Sequence, residues 1–193
     1  MASLYNDRLA FIHVPKTGGM WAATALKATI PDLREPTSGG DRRGHFVWNE
    51  LPETFRFGFV REPATWYRSH WAHKKTHEDY PDTPDRFDEL VRESSDFPGF
   101  VRTVTDEVPG YLSMLYEIFL GPPGAIEFIG RYENLVDDLI GALGQAYDRE
   151  PADYDSIRQI APVNTGNRKP EITPDLRKLI AASEHRAIGR FGY

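Results

Sequence analysis

The sequence contains no cysteine, so it can form no disulfide bridge, no catalytic thiolate and no zinc site with cysteine ligands. It has no apolar run long enough to span a bilayer, and residues 1–9 lack the apolar core of a signal peptide. We therefore expect a cytoplasmic protein with no membrane partner. The net charge of −6 at pH 7 argues against a general nucleic-acid partner. Any anionic ligand must then be held by a local cluster of basic residues.

The distribution of apolar residues predicts one α/β domain. The chain has 193 residues, of which 40% are hydrophobic and 12% aromatic, and the absence of a repeat or linker predicts a single domain over residues 1–193. Short apolar runs predict strands at residues 9–14, 55–60 and 125–130. Helical spacing predicts helices at residues 21–30, 64–77, 84–93, 110–120, 132–147 and 175–185. Strands that alternate with helices indicate a three-layer domain with a central parallel sheet.

The segment of residues 9–30 predicts an anion-binding turn. A buried strand is followed by Pro15, Lys16, Thr17, Gly18 and Gly19, and then by a helix. The first turn of a helix presents backbone N–H groups and the positive end of its dipole to an anion. The two glycines let the backbone approach a phosphate closely, and the lysine adds a charge. Because the lysine precedes the glycines, the turn is not a Walker A loop, and the chain has no G-x-G-x-x-G dinucleotide motif.

Two more basic residues stand at the ends of predicted strands. Arg61 follows residues 55–60, and Arg131 follows residues 125–130. Since the carboxyl ends of parallel strands share one edge of the sheet, we expect both arginines beside Lys16. Ser69 lies eight residues after Arg61, on the second turn of the next helix, where its hydroxyl and the guanidinium can bind one phosphate. The alternative is a surface salt bridge for the arginine and a solvated serine.

Three segments of the chain together resemble a known family. HVPKTGG (residues 13–19) resembles the 5′-phosphosulfate loop of sulfotransferases that use 3′-phosphoadenosine-5′-phosphosulfate (PAPS), most of all the carbohydrate branch. FVREPATWYRSHW (residues 59–71) resembles their 3′-phosphate segment, and RYENL (residues 131–135) resembles a segment that follows a later strand. The resemblance implies a P-loop-like sulfotransferase fold, PAPS as the donor and no metal. It also implies that the acceptor is a hydroxyl of a carbohydrate or another small polar compound.

The resemblance assigns nucleotide-binding roles to particular residues. Those implied for the donor are Lys16, Thr17, Gly18, Gly19, Met20, Trp21, Arg61, Ser69, Arg131, Arg168 and Lys169. Met20 and Trp21 depart from the pattern, because family members usually carry Thr or Ser there and the hydroxyl adds a hydrogen bond to the 5′-phosphate. Glu62 also stands where the family has Asp or Asn. Neither departure removes the charged phosphate ligands.

His45 is the candidate general base. Its position between the two phosphate segments is similar to that of the catalytic histidine of uronyl 2-O-sulfotransferases, and histidine can accept a proton near neutral pH. Lys16 would stabilise the departing 5′-phosphate. Asp41 and Glu50 are the alternative bases. A structural role for His45 is also open, in which it caps a helix or stacks on a neighbouring aromatic ring.

Other interpretations of the chain stay open. His70, His73 and His77 share one helical face and could hold a metal, although we favour a solvated or acceptor-facing surface. A P-loop-type nucleotide or small-molecule kinase and a nucleotide-binding module without activity are the alternative functions. A short chain leaves little material for a lid, so the acceptor cleft is either open or completed by a second copy in a homodimer.

Overall fold

The computed structural model describes residues 3–36, 45–76, 85–163 and 169–193. Two compact units divide the chain, residues 1–61 with 116–165 and residues 62–115 with 166–193. The single domain expected from the sequence stays a prediction. No helix in the described ranges is long and apolar enough to cross a membrane.

The first unit contains a four-stranded sheet in the order β1-β2-β3-β4. Strand β1 (Leu4–Tyr5) pairs antiparallel with β2 (Leu9–Ile12), whereas β3 (Phe55–Val60) and β4 (Phe128–Arg131) extend the sheet in parallel. The predicted α/β class is therefore confirmed, and the predicted parallel pairing is found among β2, β3 and β4, whereas β1 adds an antiparallel edge. The strand predicted at residues 9–14 ends two residues earlier than expected. The strand predicted at residues 125–130 begins three residues later than expected. Strand β1 was not predicted, because two residues show no periodicity.

Helices account for most of the remaining chain. In chain order they are α1 (Gly19–Thr29), α2 (Pro63–Thr76), α3 (Arg86–Glu93), α4 (Phe97–Glu107), α5 (Tyr111–Leu120), α6 (Leu135–Tyr147), α7 (Pro174–Ser183) and α8 (His185–Phe191), with 3₁₀ helices at Tyr132–Asn134 and Pro151–Gln159. Six of these helices correspond to predicted ones. The predicted helix at residues 175–185 ends instead at Ser183, and α8 follows it.

The core of the first unit fixes α1 against the sheet. Alternate residues of the strands, including Phe11 and Phe57, are buried among α1, α6 and the 3₁₀ helix Pro151–Gln159. Gly58 points to the opposite face of the sheet, where an added Cβ would lie 2.8 Å from Leu120 of α5. Helical residues therefore pack on both faces, and the turn between β2 and α1 is held at the edge of the sheet.

The second unit is helical and has an aromatic core. Trp66, Tyr67, Phe87 and Phe100 are buried there, with ring centroids 5.3 Å apart for the pair Phe87 and Phe100. Helix α4 was not predicted, although it begins at an Asp96 cap and carries apolar residues at helical spacing. Its first turn contains Pro98 and Gly99, which locally indicate a turn and so obscured that pattern.

Candidate functional site

The turn between β2 and α1 depends on left-handed backbone conformations. Lys16 has φ 64° and Gly18 has φ 86°, and Gly18 is the N-cap of α1. A Cβ at Gly18 would lie 2.6 Å from Cδ2 of Leu135 and 3.0 Å from Cδ2 of Tyr132. Glycine is thus required at this position both by its dihedral angle and by the close approach of the segment after β4. The turn has the strand–glycine–helix geometry that the sequence predicts.

Side chains within the turn serve its structure. Thr17 is buried, and its hydroxyl donates a hydrogen bond to the carbonyl of Val14 at 2.8 Å. Only its backbone N–H could therefore serve a ligand. Trp21 is also buried and donates from Nε1 to the carbonyl of Ile160 at 3.3 Å, whereas the side chain of Met20 is exposed. Neither Met20 nor Trp21 supplies a hydroxyl at the start of α1.

His13 packs directly on the start of α1. A Cβ at Gly19 would lie 1.8 Å from Cδ2 of His13 and 2.1 Å from its Nε2, so the imidazole occupies the space that any side chain would need. The backbone N–H of His13 donates to Oγ of Ser3 at 3.2 Å. The second glycine of the turn is thus explained by the histidine that directly follows β2.

Arg61 is buried and connects the turn to the segment after β4. Its Nη1 donates to the carbonyl of Lys16 at 3.1 Å, and its guanidinium carbon lies 3.8 Å from the centroid of the Tyr132 ring. Its backbone N–H donates to the hydroxyl of Tyr116 at 2.8 Å, and that hydroxyl donates to the Arg61 carbonyl at 3.0 Å. The Arg61 side chain is thereby held against both the turn and the segment after β4.

The three predicted basic residues lie at one edge of the sheet. Lys16 follows β2, Arg61 follows β3, and Arg131 is the last residue of β4, in register with Val60. The backbone N–H of Arg131 donates to Asp138 at 2.6 Å, and its side chain is exposed. The sheet therefore brings together the cations that the sequence assigns to an anion.

His45 stands beside this turn. The residue is 9% exposed, and its ring meets His13 edge-on at a centroid distance of 4.9 Å and Phe119 at 6.2 Å. Because His13 packs on Gly19, the chain of contacts runs from His45 to the first residue of α1. Of the alternative bases, Glu50 accepts a hydrogen bond from the N–H of Val47 at 2.9 Å, and Asp41 lies outside the described residues.

The remaining predicted ligands belong to the second unit or fall outside the described ranges. Ser69 is half-buried on α2, and Lys169 is exposed just before α7. Arg168 lies outside the described residues. The assignments of all three to the nucleotide stay predictions.

His70 belongs to a buried ionic cluster. Its Nε2 lies 2.8 Å from Oδ1 of Asp88, and Lys74 donates to the other oxygen of the same carboxylate. Burial alone would raise the pKa of Asp88, but hydrogen bonds and charges from His70 and then Lys74 outweigh it and lower the pKa to about 2. Within the described ranges, which exclude His77, no group of three or more His, Cys, Asp or Glu side chains could hold a metal ion.

Tyr116 and Tyr132 are the site residues that sequence reasoning missed. Tyr132 belongs to the RYENL segment, but only the structure shows its ring against Arg61. No local pattern indicated Tyr116, because its hydroxyl reaches Arg61 from a distant helix.

Comparison with known proteins adds no relative. No protein-family model matches the chain, and no curated protein or solved structure matches it. The functional argument therefore rests on the residues of this chain alone.

Proposed function

We propose that the protein is a PAPS-dependent sulfotransferase with a P-loop-like sulfotransferase fold. The observation that carries the proposal is the turn from Lys16 to Gly19 at the start of α1, to which the buried Arg61 is hydrogen-bonded. A lysine, a helix N-terminus and two closely packed glycines form a site for a phosphate group. The neighbouring arginine suits the second phosphate of the donor, since a guanidinium binds phosphate through two parallel hydrogen bonds.

In the proposed reaction an acceptor hydroxyl oxygen attacks the sulfur of PAPS. The new O–S bond forms as the bond from sulfur to the 5′-phosphate oxygen breaks, and His45 takes the hydroxyl proton. The products are a sulfate ester and 3′-phosphoadenosine-5′-phosphate. Lys16 and the backbone N–H groups of the turn stabilise the negative charge that develops on the departing phosphate.

A nucleotide-binding module without activity is the second candidate. One observation favours it: Trp21 is used in the core and Met20 carries no hydroxyl, so the turn lacks one hydrogen bond of the family pattern. A hydrogen bond to a charged group contributes about 1.5–3 kcal/mol. Its loss weakens the hold on the donor without removing the charge of Lys16.

The deciding experiment is transfer of ³⁵S from labelled PAPS to a panel of glycans, phenols and alcohols, with EDTA present. We expect transfer to at least one acceptor, because Lys, Arg and backbone N–H groups meet the charge of the donor. Lys16→Ala should abolish it, whereas Lys27→Ala at the far end of the same helix should not, since Lys27 pairs with Glu35 in an exposed salt bridge.

The other outcomes separate the alternatives. Tight binding of 3′-phosphoadenosine-5′-phosphate without transfer to any acceptor would favour the inactive module. Turnover of ATP that requires Mg²⁺ would favour the kinase and contradict the proposal.

A further inference from the structure

The second unit contains a cavity of about 640 Å³ between α2 and the segment that leads into α7. This volume lies within the range of about 300–1,000 Å³ that is typical of small-molecule sites. The residues that line it are Thr65, Arg68, Trp71, Lys169, Pro170, Glu171, Ile172 and Arg177. Only one of them, Lys169, has a predicted role, so the cavity needs an explanation of its own.

The lining has more positive than negative charge. It contains three cations, Arg68, Lys169 and Arg177, and one carboxylate, Glu171. Arg177 donates to Oε1 of Glu62 at 2.6 Å, which fixes its guanidinium beside the cavity. Because this pair is largely neutral, Arg68 and Lys169 against Glu171 leave the lining with one net positive charge. A protein with a net charge of −6 thus surrounds this cavity with cations, which favours an anionic ligand.

Arg68 supplies the second observation. Its Nε is buried and has no hydrogen-bond partner in the described structure. Because the Nε atom itself has no exposed surface, a ligand in the cavity can be met only by the remaining donors of the Arg68 guanidinium, and Arg68 lines the cavity. Hydrogen bonds from a guanidinium to a carboxylate are charge-assisted and therefore strong.

Trp71 provides an apolar surface in the same cavity. Its Nε1 donates to Oγ of Ser94 at 2.9 Å, and its ring meets Phe97 edge-on at a centroid distance of 5.8 Å. These contacts hold the indole in one orientation. Pro170 and Ile172 add further apolar lining. A ligand with a ring can therefore pack on a rigid aromatic side chain while its charged group meets the cations.

We propose that this cavity binds a small organic acid whose ring packs on Trp71 and whose carboxylate is held by Arg68 and Lys169. Two classes of compound have a carboxylate on a ring, namely hexuronic acids and hydroxybenzoic acids, and either could supply the ligand. The proposal does not depend on the sulfotransferase assignment, because it concerns a site within the second unit and a ligand without a nucleotide.

The test measures binding of galacturonate and 4-hydroxybenzoate to the full chain by calorimetry, with galactose and phenol as neutral analogues. At least one acid should bind, with a Kd about tenfold or more below that of its neutral analogue, because the carboxylate forms charge-assisted hydrogen bonds. The sugar and aromatic acids distinguish the two sources of the carboxylate. Equal binding of an acid and its neutral analogue, or no binding of either acid, would overturn the proposal.

Two substitutions test the site in opposite directions. Arg68→Gln should raise the Kd of the acid about tenfold or more, and Glu171→Gln should lower it several-fold, because it removes the one carboxylate of the lining. Glu171 is exposed, so its substitution should leave the fold intact even if Arg68→Gln does not fold. Arg102→Gln, on the exposed side of α4, is the matched control and should leave the Kd unchanged.

The nucleotide provides the competing outcome. If 3′-phosphoadenosine-5′-phosphate alone binds, and its Kd responds to both substitutions as described for the acid, the cavity belongs to a nucleotide site and the proposal is wrong. If neither substitution changes the Kd of a bound acid, the acid binds elsewhere and the proposal is equally wrong.

Discussion

At the scale of single residues, Arg61 combines burial with a charge. Arg61 is 4% exposed as a residue, and its guanidinium, placed on a tyrosine ring and bonded to the carbonyl of Lys16, is held in one orientation before any ligand binds. Preorganisation of this kind reduces the entropy that a ligand must overcome. The residue therefore supports the turn, and the proposed function gives it a second, separable role in contact with a phosphate.

Arg61→Ala should abolish the preference for a 3′-phosphate. In the unmodified protein we expect 3′-phosphoadenosine-5′-phosphate to raise Tm far more than adenosine 5′-phosphate does, since only the former offers the group that Arg61 binds. Differential scanning fluorimetry with the two nucleotides measures this difference. It should vanish in Arg61→Ala and be reduced in Arg61→Lys, which keeps the charge but not the paired donors. Equal stabilisation of the unmodified protein by both nucleotides would contradict the assignment.

His45→Ala should separate catalysis from binding. If His45 is the base, kcat falls by about 10²–10⁴, while the affinity for the nucleotide hardly changes. The rate of the unmodified enzyme should also decline on the acid side as the imidazole becomes protonated, and this decline should be missing in the variant. Transfer assays over a range of pH measure both effects. Near-normal turnover of His45→Ala would indicate that Asp41 or Glu50 is the general base instead. Loss of nucleotide binding would indicate that His45 has a structural role.

At the scale of elements, the position of α1 depends on a close approach between a histidine and a glycine. His13 directly follows β2, Gly19 begins α1, and the imidazole occupies the space that a Cβ at Gly19 would need. The helix N-terminus is thereby brought to the edge of the sheet where the basic residues lie. Its dipole acts on an anion only at this short range.

Gly19→Ala should destabilise the protein by about 1–3 kcal/mol, the typical cost of overpacking. The double variant with His13→Ala should recover much of this loss, because it removes the ring that the new methyl group meets. Gly189→Ala is the control: nothing lies within 4 Å of a Cβ there, and alanine in helix α8 should be neutral or stabilising. Urea denaturation gives the free energies of unfolding of the unmodified protein, Gly19→Ala, the double variant and Gly189→Ala. Failure of the double variant to recover stability would show that His13 is not the cause.

At the scale of the whole molecule, buried ionic groups make stability dependent on pH. Asp88 has a pKa of about 2 in the folded protein, against an ordinary value of 3.8. Ionised Asp88 therefore favours the folded state at pH values above about 3.8, and this contribution is lost as the pH falls through about 2.

Asp88→Asn should lower the free energy of unfolding by about 3–5 kcal/mol at neutral pH, because Lys74 loses its buried counter-charge. The variant should also lose the part of the acid sensitivity that arises between pH 3.8 and pH 2. Chemical denaturation at several pH values measures both effects. Asp106→Asn, at an exposed position of α4, should change neither. An unchanged slope of stability with pH in Asp88→Asn would show that the cluster does not control acid stability.

Local patterns were sufficient for several parts of this protein. The apolar run that became β2, the alternation in β3 and the glycine pair between β2 and α1 act over a few residues, so their periodicity and backbone preferences are readable in the sequence. The parallel arrangement followed from strands that alternate with helices, and it placed Lys16, Arg61 and Arg131 at one edge.

Only the tertiary structure decided how these residues are supported. Tyr116 is hydrogen-bonded to Arg61 across 55 positions of sequence. The ring of Tyr132 packs on the Arg61 guanidinium and also lies where a side chain at Gly18 would be. Helices α7 and α8 divide at Glu184, whose buried carboxylate accepts hydrogen bonds from Tyr67, from the N–H groups of Leu112 and Ser113, and from the Ser113 hydroxyl. Such contacts join residues that are far apart in the chain, so they leave no local periodicity. They arise from packing and from the need to satisfy buried polar groups.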